Sequence, residues 1–274
     1  MSLTFTKMNG AGNDFVVLDN RDGSRSLSHA QIAHLCDRHR GVGADGLMLV
    51  EPPENGATAR MRYYNADGGE AEMCGNGARC FAKFLNRLHD DALTDLSFET
   101  VAGVIGATFP GSNGDVCVQL SDPFDLKLGQ ELALADGLNH QVHSFNTGVP
   151  HAVVFGNAID AVDIVPQGAS VRHHEAFAPK GTNANFAEVL DPQSLRIRTY
   201  ERGVEDETLA CGTGMAACAL LHAELTGATS PISVKVAGGD TLSIGFTKDS
   251  GAYQNVTLTG PADFVFEGTL TLPV

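Results

Sequence analysis

Basic residues and long apolar runs are scarce or absent in this chain, and each shortage argues against a class of protein. The 18 Lys and Arg residues stand against 33 Asp and Glu among 274, a formal net charge of −15, and there is no Trp. Such a surface repels phosphate backbones and anionic lipids, which disfavours nucleic-acid and membrane partners. No stretch approaches the ~20 apolar residues that cross a bilayer, and the first ten residues show no targeting signal. The sequence therefore predicts a cytoplasmic protein.

Cysteine is also too scarce for a disulfide scaffold. The six cysteines are widely spaced, which is typical of thiols in a reducing compartment. What the chain does have is 43% hydrophobic residues, 31 glycines and 11 prolines. At ~100 to 200 residues per domain, this length accommodates one large domain or two modest ones. The many turn-forming residues favour short strands with a few helices, which is a mixed fold.

An internal repeat divides the chain into two similar halves. Arg60–Asn65 (RMRYYN) matches Arg196–Glu201 (RIRTYE) at an offset of 196 − 60 = 136 residues. Glu70–Gly77 (EAEMCGNG) matches Glu207–Gly214 (ETLACGTG), and a third block, LSFETVAG, recurs as ISVKVAGG. Three matched blocks in the same order indicate a duplication. The sequence therefore predicts two pseudo-symmetric domains with equivalent loops.

Cys74 and Cys211 occupy equivalent positions in the matched blocks, each directly before a Gly-x-Gly and a helical pattern. Ala78–Leu88 has apolar residues at helical spacing, and Met215–Leu225 is apolar almost all round before Gly227. Strand-like runs flank both patterns. The sequence thus predicts, in each half, one helix that is surrounded by strands and begins beside a cysteine.

The segment before the first of these helices is predicted to contain strands within Phe5–Asp19 and Leu47–Glu51 and a helix, capped by Ser28, that runs to about Arg38. Between them, Gly41–Gly46 (GVGADG) formally matches the dinucleotide-binding fingerprint, but that motif follows a strand and opens a helix. The order here is the reverse, so no dinucleotide is predicted. The paired histidines and the carboxylate cluster of the second half lack the spacing of zinc or calcium sites, so no metal is predicted.

The setting of Cys74 and Cys211 favours thiolate chemistry. Unpaired N–H groups and the positive end of a helix dipole stabilise negative charge on a sulfur and on a carboxylate bound beside it. If a sulfur lay on each wall of a cleft, one thiolate could remove an α-proton while the opposite thiol returned a proton to the other face. Either cysteine alone would suit a buried turn. The duplicated motif instead predicts inversion of a stereocentre in a small carboxylic acid, with the other four cysteines structural.

Together the motifs GNDF, NADG, CGNGAR, YERG and ACGTG resemble the diaminopimelate epimerase family, over a span from Phe5 to the final strand. The resemblance implies a cofactor-independent epimerase that interconverts LL-2,6-diaminopimelate and meso-2,6-diaminopimelate by a two-base thiol/thiolate mechanism, on the route to lysine and peptidoglycan. It also implies an α+β fold of two pseudo-symmetric domains, each a β-barrel or curled sheet around a central helix. Residues 1–118 with 265–274 would form the N-terminal domain and residues 119–264 the C-terminal domain.

The resemblance also implies roles for individual residues. The implied catalytic residues are Cys74, Cys211, His151 and Glu201. The residues implied to hold the reacting carboxylate are Gly75, Asn76, Gly212 and Thr213. Those implied to bind the distant amino-acid end are Asn13, Asn65, Asn183, Glu201 and Arg202. The resemblance implies no cofactor and no metal, and the implied partner is a small-molecule amino-acid substrate. Whether the protein forms a homodimer stays open.

Two positions depart from the family pattern. Val149 precedes Pro150 and His151 where some members have asparagine, and Gly46 follows GVGAD where some members have glutamine. Each departure replaces a polar side chain, so each bears on fine specificity and leaves the two cysteines in place.

Two other interpretations stay open at this point. A relative with the same doubled fold, such as a proline racemase or a phenazine-biosynthesis-like isomerase, would act on another substrate. The cysteine pair argues against the phenazine kind, and Glu201 with Arg202 argues against a proline racemase, whose substrate has no second amino-acid head. From a different class, a thiol redox protein would use the same two sulfurs to form a disulfide reversibly.

Overall fold

The computed structural model describes residues 2–71, 73–111 and 114–272. The chain divides into two compact units, Met1–Val118 with Gly260–Val274, and Gln119–Thr259. Each unit combines short strands with two α-helices. Within the described ranges, no helix is both long and apolar enough to cross a bilayer.

Among the described residues, the first unit contains nine strands and two helices, and the last residue of one strand falls in the second unit. In chain order they are β1 (Ser2–Gly10), β2 (Asn13–Asp19), α1 (His29–Cys36), β3 (Gly46–Glu51), β4 (Ala59–Asn65), β5 (Glu70–Ala71), α2 (Gly75–Arg87), β6 (Asp95–Thr100), β7 (Gly103–Thr108), β8 (Val116–Gln119) and, from the end of the chain, β18 (Asp263–Thr271).

The strands of the first unit pair in the order β18-β1-β2-β3-β4-β6-β7-β8, with β5 added to part of β4. Only β2 with β3 and β4 with β6 are parallel, and parallel neighbours need a crossover connection. Helix α1 forms the first crossover and α2 the second. Helix α2 packs against β1, β2, β3 and β6, while α1 packs against β3. Because helices cover both faces, β2 and β3 are buried almost continuously rather than at alternate residues.

The second unit repeats this plan. Its elements are β9 (Phe124–Ala133), β10 (Asn139–Asn146), β11 (Pro150–Phe155), α3 (Ile164–Arg172), β12 (Asn183–Asp191), β13 (Ser194–Glu201), β14 (Asp206–Thr208), α4 (Gly212–Thr226), β15 (Ile232–Lys235), β16 (Thr241–Asp249) and β17 (Ala252–Gly260). The strand order is β9-β10-β11-β12-β13-β15-β16-β17, with β14 added to β13 and parallel pairing only for β11 with β12 and β13 with β15.

Each element of one unit therefore has a counterpart in the other. Helix α3 matches α1, and α4 matches α2 as the central helix, packed against β10, β11, β12, β13, β15 and β16. Strand β18 takes the edge position in the first unit that β9 takes in the second. The predicted α+β fold of two pseudo-symmetric units, each with strands around a central helix, is confirmed.

The ends of the helices follow local capping chemistry. Ser28 caps α1 as predicted, in a capping box with Gln31. The prediction that α1 runs to about Arg38 was wrong, because Asp37 is extended and its carboxylate accepts the backbone N–H groups of His39 and Arg40 instead. Helix α4 ends where Gly227 takes a left-handed conformation with φ of 76°.

Candidate active site

Both central helices begin immediately after a cysteine. Cys74 is the N-cap residue of α2 and Cys211 is the N-cap residue of α4, each with extended backbone dihedrals. In α2 the backbone N–H of Gly77 donates to Cys74 Sγ over 3.5 Å. The predicted placement of each sulfur at a helix N-terminus is confirmed, and the helix dipole there favours a negative charge.

The side chain of Asn13, at the start of β2, contacts Cys74. The Cys74 thiol donates to Asn13 Oδ1 over 3.5 Å, and Asn13 Nδ2 donates to Asp45 Oδ2 over 2.6 Å. A carboxylate can only accept, so the contact with Asp45 fixes which end of the amide faces the sulfur. Asn13 therefore presents an acceptor to Cys74.

A network of ion pairs holds Asp45 in this position. Arg38 bonds both carboxylate oxygens of Asp14, over 2.9 and 2.8 Å, and Asp45 Oδ1 over 2.8 Å. Lys7 pairs with Asp14 over 2.7 Å and donates to the carbonyl of Gly43. Burial acts to raise the pKa of Asp14, but the hydrogen bonds from Arg38 and Lys7 outweigh it and hold that pKa well below its usual range. The loop before β3 is thereby fixed to β1 and β2 beside Asn13.

Asn65, predicted to bind substrate, ends β4 and is exposed. The register pairs Asn65 with Gly46 and Gly46 with Phe15. Asn13 and Asn65 therefore lie at the same end of three neighbouring strands, β2, β3 and β4.

Gly75 and Asn76 form the first turn of α2 and are buried. Asn76 Oδ1 accepts from Arg79, a fully buried arginine that also donates to the carbonyls of Gly75 and Pro261 over 3.3 and 3.2 Å. Asn76 Oδ1 is thus engaged within the helix, and the backbone of this first turn offers N–H groups to a carboxylate.

In the second unit the structure brings His151, Thr213 and Cys211 together. His151 lies on β11 with no exposed surface, and its Nε2 is 2.9 Å from Thr213 Oγ1. Thr213 Oγ1 is 3.7 Å from Cys211 Sγ. Burial and the positive charge of Arg202 lower the pKa of His151 to about 3, so this imidazole is neutral at pH 7.

The residues predicted to bind the distant end of a substrate form a second polar group in this unit. Asn183, at the start of β12, donates to the carbonyl of Pro150 over 3.1 Å and accepts from the backbone N–H of Arg202 over 2.8 Å. Glu201 ends β13 and accepts from Thr208 Oγ1 over 3.0 Å. Burial raises the pKa of Glu201, and the bond from Thr208 partly offsets that rise. Gly212, predicted to hold the reacting carboxylate, is buried in the first turn of α4.

Two further residues of the candidate site, Asn185 and Asp45, were not predicted from the sequence. Asn185 Nδ2 lies 3.2 Å from His151 Nδ1, and Asn185 is fully buried on β12, two residues after Asn183. The available signal was a pair of asparagines at alternate positions, Asn183 and Asn185, of a buried strand. Asp45 lies inside the glycine-rich stretch that only formally matches a dinucleotide motif, and its carboxylate belongs to none of the duplicated blocks.

The two departures from the family pattern have structural counterparts. Gly46 has no room for a side chain, because a Cβ there would come within 2.6 Å of both the Tyr63 ring and the Tyr64 carbonyl oxygen. Val149 lies half-buried between β10 and β11, and its carbonyl accepts from the backbone N–H of Thr147 over 3.2 Å. Thr147 in turn donates to the Thr213 carbonyl over 2.8 Å.

The remaining cysteines lie away from the helix starts. Burial raises the pKa of Cys36 and of Cys80 to about 12 and that of Cys218 above its usual range, which keeps these three protonated. Cys117 is half-buried on β8. In the part of the chain that the structure describes, no three His, Cys, Asp or Glu side chains are arranged to hold a metal ion.

The fold is shared with several solved structures. A phenazine biosynthesis protein of the PhzF family from Bacillus anthracis aligns over 99% of this chain and all of its own, with a TM-score of 0.76 and 16% identity. A probable proline racemase from Agrobacterium radiobacter aligns over 99% of this chain and 93% of its own, with a TM-score of 0.73 and 17% identity. These likenesses place the chain in the α+β fold class that epimerases and racemases share with phenazine biosynthesis proteins.

The sequence comparisons narrow this class. The family model described as diaminopimelate epimerase matches residues 5–123 and 143–265. A diaminopimelate epimerase from Chlorobaculum tepidum is 42% identical over 97% of this chain and 100% of its own. One from Aquifex aeolicus is 40% identical over 98% of each chain. The chain belongs to the diaminopimelate epimerase family and is an isomerase, as the motif resemblance predicted.

Proposed function

We propose that this protein interconverts LL-2,6-diaminopimelate and meso-2,6-diaminopimelate, with Cys74 and Cys211 as its acid and base. The observation that carries the proposal is the placement of one cysteine at the N-terminus of the central helix in each of two matched units. The choice of substrate is supported by full-length relatives of about 40% identity that carry the name diaminopimelate epimerase. Proline racemases share the fold at 17% identity, so the fold alone does not favour their substrate.

In the proposed reaction, one sulfur removes the α-proton as a thiolate and the other delivers a proton to the opposite face of the same carbon as a thiol. The carbanion that forms between these steps spreads its charge onto the adjacent carboxylate. Backbone N–H groups at the starts of α2 and α4 stabilise that charge. The residues to which we assign this role are Gly75, Asn76, Gly212 and Thr213.

The unreactive end of diaminopimelate carries a second carboxylate and ammonium group. Arg202 is suited to the carboxylate, because a guanidinium binds two oxygens at once. Glu201 is suited to the ammonium group, and its position at the end of β13 places it directly beside Arg202 in the chain. The asparagines to which we assign the remaining polar contacts are Asn13, Asn65 and Asn183.

The first test is incubation of the reduced protein with LL-diaminopimelate in deuterated water. We expect α-deuterium incorporation, which mass spectrometry measures, and formation of the meso isomer, which chiral chromatography measures. L-Proline and L-glutamate are incubated in parallel. These two controls distinguish a diaminopimelate epimerase from a racemase of another amino acid. Exchange confined to proline or glutamate would replace the proposed substrate, and exchange in none of the three would overturn the proposal.

Replacing either cysteine tests the two-base mechanism. Cys74→Ala and Cys211→Ala should each lower kcat for epimerisation by a factor of about 10² to 10⁴, because each removes a proton donor or acceptor. Cys117→Ser, on β8, is the matched control and should retain activity. If either alanine variant epimerised at the wild-type rate, that sulfur would not be a catalytic group.

We further propose a cytoplasmic location and leave the homodimer as a hypothesis. Buried thiols such as Cys36, Cys80 and Cys218 suit a reducing compartment. Cell fractionation tests the location, and sedimentation velocity of the purified protein tests the assembly.

A further inference from the structure

The two units differ at the residues that pack beneath their cysteines. Matching strand pairings identify equivalent positions, since Phe15 pairs with Gly46 as His151 pairs with Asn183. The three positions are Phe15, Met48 and Tyr63 beneath Cys74, and His151, Asn185 and Thr199 beneath Cys211. Gly77 and Gly214 confirm the match, because a Cβ on the first would meet Met48 Sδ and a Cβ on the second would meet Asn185 Oδ1. The duplicated core is apolar or aromatic in one unit and hydrogen-bonded in the other.

The orientation of the Asn185 amide is fixed by its surroundings. Asn185 Nδ2 lies 3.0 Å from the carbonyl oxygen of Ala152, which can only accept a hydrogen bond. Asn185 Oδ1 accepts from Thr199 Oγ1 over 2.9 Å. The second hydrogen of Nδ2 is then left to point at His151 Nδ1, 3.2 Å away.

This contact selects the tautomer of His151. Since Nδ1 accepts from Asn185, the proton of the neutral ring resides on Nε2. Nε2–H then donates to Thr213 Oγ1 over 2.9 Å. The Thr213 hydroxyl already accepts from His151, so its own proton can be donated to Cys211 Sγ at 3.7 Å.

The hydrogen bonds of this chain therefore run from Asn185 toward the Cys211 sulfur, which favours its thiolate. Cys74 Sγ accepts the backbone N–H of Gly77, but its hydrogen bond with a side chain runs the other way, because the thiol donates to Asn13 Oδ1. Cys74 can donate this hydrogen bond only while its sulfur is protonated, so the bond favours the thiol form of Cys74. A hydrogen bond to a charged acceptor stabilises more than one between neutral groups.

Charged and titratable groups also adjoin the Cys211 chain. Arg202, at the end of β13, acts on His151 through its charge, and Glu201 lies next to it. Cys218, on α4 itself, interacts with Cys211 and is kept protonated by burial. Thr213 and Asn185 do not titrate, so they transmit only the direction of the hydrogen bonds.

We propose that Asn185 is a positioning residue that acts through His151 and Thr213 to make Cys211 the thiolate of the resting enzyme, while Asn13 holds Cys74 as the thiol. This assignment rests on the proposed function, since it allots the two roles of that mechanism to particular sulfurs. It also identifies Cys211 as the base that the substrate-free enzyme uses first.

The test measures the protonation of each sulfur in the absence of substrate. Reduced protein is treated with iodoacetamide between pH 5 and pH 10, and mass spectrometry of tryptic peptides reports the alkylation rate of Cys74 and of Cys211. In the wild type we expect the rate at Cys211 to rise at a lower pH than the rate at Cys74. Asn185→Leu should lower the Cys211 rate at pH 7 by about tenfold and leave Cys74 unchanged. Without Asn185 the tautomer of His151 is no longer selected, so the charge-assisted hydrogen bond from Thr213 to Cys211 is lost.

Thr213 supplies a second, independent pair of variants. Thr213→Val should shift the Cys211 profile as Asn185→Leu does, and Thr213→Ser, which keeps the hydroxyl, should restore it. Combining Asn185→Leu with Thr213→Val should add nothing further, because both act on one chain. Met48→Leu, at the position equivalent to Asn185, is the packing control and should leave the Cys211 profile in place.

Three results would overturn the proposal. One is a wild-type Cys74 that reacts at lower pH than Cys211. Another is a folded Asn185→Leu protein with an unchanged Cys211 profile, and the third is a Thr213→Ser variant that behaves like Thr213→Val. These outcomes are independent of turnover, so a failure to epimerise diaminopimelate would be recognised separately.

Discussion

At the scale of single residues, Gly214 provides the space that the Asn185 amide occupies. A Cβ at Gly214 would lie 2.6 Å from Asn185 Oδ1, whereas one at the equivalent Gly77 would lie 3.3 Å or more from its neighbours, the nearest being the flexible end of Met48. We expect Gly214→Ala to lower the free energy of unfolding by about 1 to 3 kcal/mol, since overpacked cores are strained. Gly77→Ala should be neutral or stabilising. Urea denaturation of both variants checks this, and equal losses would contradict it.

His151 should also leave a signature in the acid stability of the protein. Its pKa is lowered from 6.5 to about 3, so below pH 6.5 the unfolded chain binds a proton that the native protein does not. The free energy of unfolding should therefore fall as the pH falls from 6.5 toward 3, by about 1.4 kcal/mol per pH unit from this group. His151→Phe, which copies the residue of the first unit, should be less stable at pH 7 but lose less stability on acidification. Denaturation series at pH 7, 6 and 5 measure both slopes, and parallel slopes would show that His151 protonates equally in both states.

The sequence predicted residues of this site where a motif was duplicated, and missed them where a hydrogen bond crosses between strands. Cys74 and Cys211 were predictable because the same Cys-Gly-x-Gly occurs twice at matched positions. Asp45 and Asn185 were not, since each acts by orienting a neighbour, Asn13 or His151, on an adjacent strand. Which end of an amide faces a sulfur depends on carbonyl and carboxylate positions that exist only in the folded chain.

At the scale of elements, a capping box formed by Ser28 and Gln31 stabilises the start of α1. Ser28 Oγ accepts from the Gln31 N–H, and the Gln31 side chain accepts from the Ser28 N–H. Ser28→Ala should therefore lower the free energy of unfolding by about 1 kcal/mol. Ser26→Ala, on the exposed segment just before it, should change stability by less than about 0.5 kcal/mol. Thermal or urea denaturation measures the difference, and no loss for Ser28→Ala would mean that the capping box contributes nothing to folding.

Helix α3 shows why one element was not predicted. It contains Pro166 and Gly168, both poor helix formers in isolation. Pro166 falls in the first turn, where its missing N–H costs no hydrogen bond. Gly168 lets the helix approach Tyr200, since a Cβ there would lie 2.3 Å from the Tyr200 Cβ. Packing against β12 and β13 thus determines this helix more than its own propensity does.

At the scale of the whole molecule, the last strand belongs with the first. Strand β18 pairs with β1 over most of its length, and the Pro261 carbonyl just before it accepts from the buried Arg79 of α2. Removing the chain from residue 262 onward should therefore unfold the first unit preferentially. Hydrogen exchange followed by mass spectrometry should show lost protection in residues 2–111 and retained protection in residues 120–258. Uniform loss across both units would instead indicate a single cooperative unit.

The different residues beneath Cys74 and Cys211 also affect how the two sulfurs regain their starting protonation between turnovers. In the proposed mechanism, an inversion that begins with Cys211 as thiolate ends with a proton on Cys211 and none on Cys74, so the protein that releases product differs from the one that bound substrate. The hydrogen-bond chain through His151 draws it back to its starting form, and the return needs only an exchange of protons with water. Although the two units are copies of one plan, the substrate-free protein therefore prefers one stereoisomer of its substrate. That isomer is the one whose α-hydrogen faces Cys211.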